Sequence, residues 1–112
     1  MRDRKVILKD ILLVNGDLLS LDSEISLYPW DCQKPLLKVQ KEDLIVVFSR
    51  CIRGDIKYDK LVHWANLIEC RDDIEFQQGY LQEIIFEIAN PEINGKMTKK
   101  RLNEIKNLLE KG

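Results

Sequence analysis

The first segment of the chain carries an apolar residue at every third or fourth position. The steps between these residues are 4, 3, 4, 3, 4 and 3, the repeat of one face of an α-helix, and the members are Ile7, Ile11, Val14, Leu18, Leu21, Ile25 and Tyr28. Asn15-Gly16, a dipeptide typical of β-hairpin turns, interrupts the stripe. Because glycine inside a helix costs only about 1 kcal/mol, we predict one helix over 5–27 that tolerates a bend at Gly16. A hairpin at Asn15-Gly16 is the alternative.

A connector with two prolines follows this segment. Pro29 should end the helix, because the residue before a proline disfavours helical backbone. We expect Trp30 to anchor the connector to the core, since a large aromatic ring gains most from burial. The residues over 36–39 are predicted to be extended at most.

Four further stretches have a helical repeat. We predict helices over 42–53, 58–70 and 79–89, and a last helix that begins after Thr98, the best N-cap in the sequence. No repeat, low-complexity tract or linker divides the chain, and its 112 residues suffice to bury about two-thirds of the unfolded surface. The predicted architecture is a single all-α domain over 1–112, a bundle of about five helices.

Net charge and cysteine usage narrow the possible functions. The net charge is −1, so the chain generates no overall field that would attract nucleic acid or an anionic membrane, and we predict neither partner. The chain has an odd number of cysteines, Cys32, Cys51 and Cys70, and no two of them form a C-x-x-C motif. This pattern favours reduced thiols and a cytoplasmic location. The longest apolar-rich stretch, over 7–14, is too short to span a bilayer.

The charges are segregated along the chain. Residues 69–92 contain seven acids against one base, and residues 93–112 contain six bases against two acids. One interpretation is two solvated faces that attract each other. The other is a surface that docks a partner in one orientation.

The sequence contains no convincing catalytic or metal-binding pattern. His63 is the only histidine, and no nucleophile accompanies it. The acids over 69–75 do not have the spacing of an EF-hand loop. A helix-turn-helix would have to contact bases with Lys57, Lys60 and Asn66, next to an acidic helix end that would repel phosphates. We therefore predict a protein without enzymatic activity, cofactor or metal.

Three sequence segments carry a resemblance to a known family. They are YPWD, LIVVFSRCIRGDIKYDKLVHWANLIECRDDIEF and ANPEING, within a region that covers about 28–110. This pattern resembles small bacterial immunity proteins of contact-dependent growth inhibition and related polymorphic toxin systems. The resemblance implies binding and neutralisation of a cognate toxin C-terminal domain, often a nuclease, by masking its active site or substrate surface. A helical adaptor or regulatory subunit for a non-toxin partner is the alternative function.

The resemblance also suggests where the partner binds. A nuclease is usually basic around its substrate cleft, so an acidic surface on the inhibitor would steer association. We predict partner binding by Asp72, Asp73, Glu75, Glu83 and Glu87. Glu83 and Glu87 should share an exposed helical stripe, and reversing both charges should leave stability nearly unchanged. Trp64, Ala65, Asn66 and Arg71 are predicted to belong to the scaffold.

Overall fold

Helices form most of the chain, together with one small sheet. The computed structural model describes residues 3–29, 33–69 and 71–111, so the predictions for Trp30, Cys32 and Cys70 lie outside the described residues. Within those ranges the elements are α1 (Arg4–Leu13), α2 (Leu18–Ile25), β1 (Leu37–Val39), α3 (Lys41–Ile52), α4 (Tyr58–Ile68), β2 (Ile74–Phe76), α5 (Gly79–Ala89), α6 (Pro91–Asn94) and α7 (Lys99–Lys111).

The first apolar stripe belongs to two helices, so the prediction of one continuous helix over 5–27 was wrong. Val14 adopts a left-handed conformation with φ of 52°, and the amide of Asn15 donates to the carbonyl of Asp10 at 2.8 Å. These features form a Schellman-type C-terminus for α1. Asp17 then caps α2 by accepting from the amide of Ser20. Asn15-Gly16 lies in a turn between two helices, so the hairpin alternative was also wrong.

Tertiary contacts stabilise the end of α1. The indole Nε1 of Trp64 donates to the carbonyl of Leu12 at 3.0 Å, and Nη1 of Arg50 donates to the carbonyl of Leu13 at 2.8 Å. Both carbonyls belong to the last turn of α1, where a helix leaves acceptors without partners of its own. Side chains from α3 and α4 therefore satisfy the end of α1 at the point where the stripe is interrupted.

Helix α1 lies at the centre of the packing. It contacts α2, α3, α4 and β1, while α7 packs on α3 and α5 packs on α4. Four apolar side chains of α1 are buried, and they join one continuous core with apolar residues from every other element except α6. Phe48 of α3 and Trp64 of α4 meet edge to face in this core, with ring centroids 6.0 Å apart.

A two-stranded parallel sheet corrects the all-α prediction. β1 pairs with β2 in the register Leu37 to Ile74 and Val39 to Phe76. Parallel strands require a crossover, and α3 and α4 supply it. The coarser prediction of a mostly helical protein is confirmed.

The later helices follow their sequence signals closely. The predicted helix over 79–89 matches α5, and the predicted helix over 42–53 differs from α3 by one residue at each end. The amide of Arg101 donates to Oγ1 of Thr98 at 3.1 Å, which confirms Thr98 as the N-cap of α7. Helix α4 ends at Ile68, two residues before its predicted end.

None of the helices in the described ranges combines the length and apolar character needed to cross a membrane.

Candidate protein-binding interface

The five acids predicted to bind a partner separate into two groups. Asp73 and Glu87 are bound to arginines of the same chain, whereas Asp72, Glu75 and Glu83 lie on the exposed surface. The structure therefore does not assemble the five carboxylates into one docking surface.

Asp73 is buried at the centre of an arginine cluster. Its Oδ1 accepts from Nε of Arg71 at 2.8 Å, and its Oδ2 accepts from Nη2 of Arg71 and Nε of Arg4, both at 2.9 Å. The side chain of Asp73 is 0% exposed and that of Arg71 is 3% exposed. Burial alone would raise the pKa of Asp73. The hydrogen bonds and charges of Arg71 and Arg4 lower this pKa by more than burial raises it, so the net shift is downward.

This cluster connects three parts of the fold. Nη2 of Arg4 also donates to the carbonyl of Pro29 at 2.6 Å, and the Arg4 guanidinium lies 5.7 Å from the centroid of the Tyr28 ring. The backbone carbonyl of Asp73 accepts from the amide of Leu36 at 2.8 Å, next to β1. Asp73 thus holds the start of α1, the first connector and the sheet together, and its carboxylate is enclosed where the prediction required it to face a partner.

Glu87 is held by the last helix. Nε and Nη2 of Arg101 donate to its two carboxylate oxygens, each at 2.8 Å, in a bidentate pair between α5 and α7. The hydrogen bonds from Arg101 hold the pKa of Glu87 below its usual value despite partial burial. Reversing the charge of Glu87 would break this pair, which contradicts the expectation that reversal of both glutamates leaves the fold unaffected. The pair also shows that the acidic and basic segments attract each other within the molecule.

The three exposed acids differ in their surroundings. Glu75 lies across the sheet from Lys38, with Oε1 3.8 Å from Nζ, and both side chains are about half exposed. No lysine or arginine among the described residues forms an ion pair with Asp72 or Glu83. Within the described residues, the charge of Glu83 is therefore not neutralised, one helical turn before the neutralised Glu87.

Glu83 lies in a cleft between the end of α4 and the outer face of α5. The cleft has a volume of about 350 Å³ and is lined by Glu69, Gly79, Gln82, Glu83, Ile85 and Phe86. Phe86 is 46% exposed, although a phenyl ring in water is unfavourable. Glu69 accepts one hydrogen bond, from Nδ2 of Asn90 at 3.3 Å, and forms no ion pair with a described residue. Two carboxylates that no described lysine or arginine pairs with thus share a concave surface with an exposed aromatic ring.

Sequence reasoning did not identify Phe86 as a surface residue. The apolar stripe of α5 consists of Leu81, Ile84, Ile85 and Ile88, and Phe86 departs from it by lying three residues after Glu83. A large apolar residue on the polar side of an amphipathic helix is the signal that would have indicated this position.

The scaffold predictions are confirmed at three of four positions. Trp64, Ala65 and Arg71 are buried. Asn66 is exposed, and its Nδ2 donates to the carbonyl of Val62 in the preceding turn of the same helix.

The histidine and the cysteine that the structure describes, His63 and Cys51, both pack within the fold. Nε2 of the half-buried His63 lies 3.3 Å from Oδ2 of Asp22, which links α4 to α2. Burial raises the pKa of the Cys51 thiol to about 11, so this cysteine is mostly protonated at neutral pH. In the described ranges, no three His, Cys, Asp or Glu side chains are grouped closely enough to hold a metal ion.

Comparison with known proteins adds no assignment: no family model, curated protein or solved structure matches the chain. The resemblance to immunity proteins therefore stays a prediction that rests on the three sequence segments.

Proposed function

We propose that this protein is a bacterial immunity protein that binds a cognate toxin C-terminal domain in the cytoplasm and blocks its active site or its substrate surface. The observation that carries the proposal is the cleft beside α5, where Glu69 and Glu83 lack cationic partners among the described residues and Phe86 is exposed. The resemblance of the Trp64–Phe76 region to immunity proteins supplies the class of partner.

The surface has the physical properties that neutralisation of a nuclease requires. A basic nuclease cleft would be steered towards the carboxylates around α5, and electrostatic steering raises association rates by about 10- to 1000-fold. The aromatic ring provides apolar contact area of the kind that is concentrated at the centre of protein interfaces. Asp73 and Glu87 take part indirectly, because their arginine pairs fix the elements that carry the exposed acids.

Association kinetics test this assignment. The Glu83→Lys variant should bind the toxin domain about three- to tenfold more slowly at low ionic strength, and the difference should nearly vanish at about 0.5 M salt. Glu110→Lys is the matched control, because it makes the same change in charge on α7, where Glu110 pairs with Lys106 at 3.1 Å.

The Glu110→Lys control should associate at nearly the wild-type rate. Equal rates for wild type, Glu83→Lys and Glu110→Lys at low salt would exclude the α5 surface as the interface. If wild type does not bind the C-terminal domain of the protein encoded directly upstream, where the toxin gene of an immunity protein is expected, an adaptor that serves a non-toxin partner is favoured instead.

A further inference from the structure

We infer that the cleft beside α5 receives the guanidinium of one arginine side chain from the partner protein. This inference rests on the proposed function for the identity of the partner. The chemistry of the bound group follows from the residues that line the cleft.

The cleft has the charge and the apolar lining that an arginine side chain requires. Glu69 and Glu83 contribute two carboxylates, and the described residues provide no lysine or arginine that pairs with either. The exposed ring of Phe86 forms apolar lining, against which the methylene groups of arginine can pack. A guanidinium also stacks favourably on an aromatic ring while it donates to a carboxylate.

Helix α5 already binds a guanidinium one turn further on. Arg101 donates through Nε and Nη2 to both oxygens of Glu87, and Glu87 follows Glu83 by four residues on the same helix. Arg101 therefore pairs with the second of these glutamates. The first, next to the exposed ring of Phe86, has no cationic partner in the described ranges and is open to a group from outside. The complementary ligand is a planar cation with several donors, which favours arginine over the point charge of lysine.

The size of the cleft agrees with a single inserted side chain. Its volume of about 350 Å³ lies at the lower end of the range for small-molecule pockets. Gly79 at the start of α5 borders open space at one end of the cleft, because a Cβ at this position would meet no atom within 4 Å.

The first experiment measures the affinity of the toxin domain for variants of the cleft. Glu83→Gln and Phe86→Ala should each raise the dissociation constant by at least about tenfold, as expected for central interface residues. Tyr80→Ala is the control, because Tyr80 is an exposed aromatic residue of the same helix that does not line the cleft. Circular dichroism should show that all three variants are folded, since the substituted side chains lie on the surface.

The second experiment does not depend on the toxin. Acetyl-Gly-Arg-Gly-amide, at millimolar concentration, should shift the NMR amide signals of Gly79, Glu83 and Phe86, and the Glu83→Gln variant should lose these shifts. The same peptide with citrulline in place of arginine keeps the shape but removes the charge, so it should leave the signals unchanged. The lysine peptide should bind more weakly.

The two experiments separate the possible failures. If the toxin domain binds wild type and both cleft variants with the same dissociation constant, the arginine inference is wrong and the proposed function stands. If the toxin domain does not bind but the arginine peptide shifts the cleft signals, the cleft inference stands and the proposed partner is wrong. An arginine peptide that shifts no cleft signal, or a citrulline peptide that shifts the same signals equally, overturns the inference.

Discussion

Replacing Asp73 by asparagine removes the charge that the two arginines of the buried cluster share. The carboxylate accepts three hydrogen bonds from arginine nitrogens at 2.8–2.9 Å, and Arg71 is almost fully enclosed. The asparagine amide keeps one acceptor oxygen but turns an NH₂ group towards a guanidinium. Arg71 then remains buried without the negative charge of Asp73 beside it.

The cost follows from the burial of the pair. Removing one member of a buried ion pair destabilises a protein by about 3–5 kcal/mol. A domain of this size has a total stability of about 5–15 kcal/mol. The midpoint of thermal unfolding falls by about 4 °C per kcal/mol, so Asp73→Asn should lower it by about 12–20 °C.

Urea unfolding followed by tryptophan fluorescence, to which the buried Trp64 contributes, measures this loss directly. Asp72→Asn is the matched control: the neighbouring carboxylate is exposed and has no ion pair among the described residues, so its loss should cost less than about 0.5 kcal/mol. A loss below about 1 kcal/mol for Asp73→Asn would refute the conclusion that this carboxylate holds the cluster together.

The same pair makes stability depend on pH. Because the pKa of Asp73 is lowered in the folded state, its stabilisation is complete above the unfolded-state pKa of about 3.9 and is lost as the pH falls through the folded-state pKa. The difference in stability between wild type and Asp73→Asn should therefore be largest near neutral pH and shrink in acid. A difference that grows below about pH 4 would contradict this sign.

Three further predictions concern other parts of the fold. Trp64→Phe should cost about 2–4 kcal/mol in urea unfolding, because it leaves a cavity and removes the donor to the carbonyl of Leu12. Gly79→Ala should raise stability by about 0.4–1 kcal/mol in the same assay, because the added Cβ has open space. Cys51, with a pKa of about 11, should react with iodoacetamide far more slowly in the native protein than in urea. Peptide mass spectrometry measures both rates, and equal rates would contradict the burial of this thiol.

Each helix that could be predicted well has a clear local signal at one end at least. Thr98 caps α7, and Asn90-Pro91 ends α5 after a clear apolar repeat. The break between α1 and α2 could not be predicted in this way, because a valine rarely adopts positive φ and the end of α1 depends on Trp64 and Arg50. Such long-range contacts are not visible in the periodicity of a segment.

The sheet and the internal ion pairs depend on contacts between distant parts of the chain. Strands of three residues, such as Leu37–Val39, are too short to show an alternating pattern. Asp73 and Arg4 are 69 positions apart, and nothing in the local sequence distinguishes Asp73 from the exposed Asp72. For the same reason, sequence alone could indicate an acidic segment but could not separate the carboxylates bound by arginine from those left open.

Bacterial growth during induction of the toxin domain tests the proposed function most directly. The C-terminal domain of the protein encoded immediately upstream, where the toxin gene of an immunity protein is expected, is induced together with wild-type protein, Glu83→Lys or Glu110→Lys, at matched soluble levels. The proposal predicts that wild type and Glu110→Lys restore growth, and that Glu83→Lys protects less well because it associates more slowly. Growth arrest that wild type does not relieve, with both proteins soluble and the toxin active, would contradict the proposal.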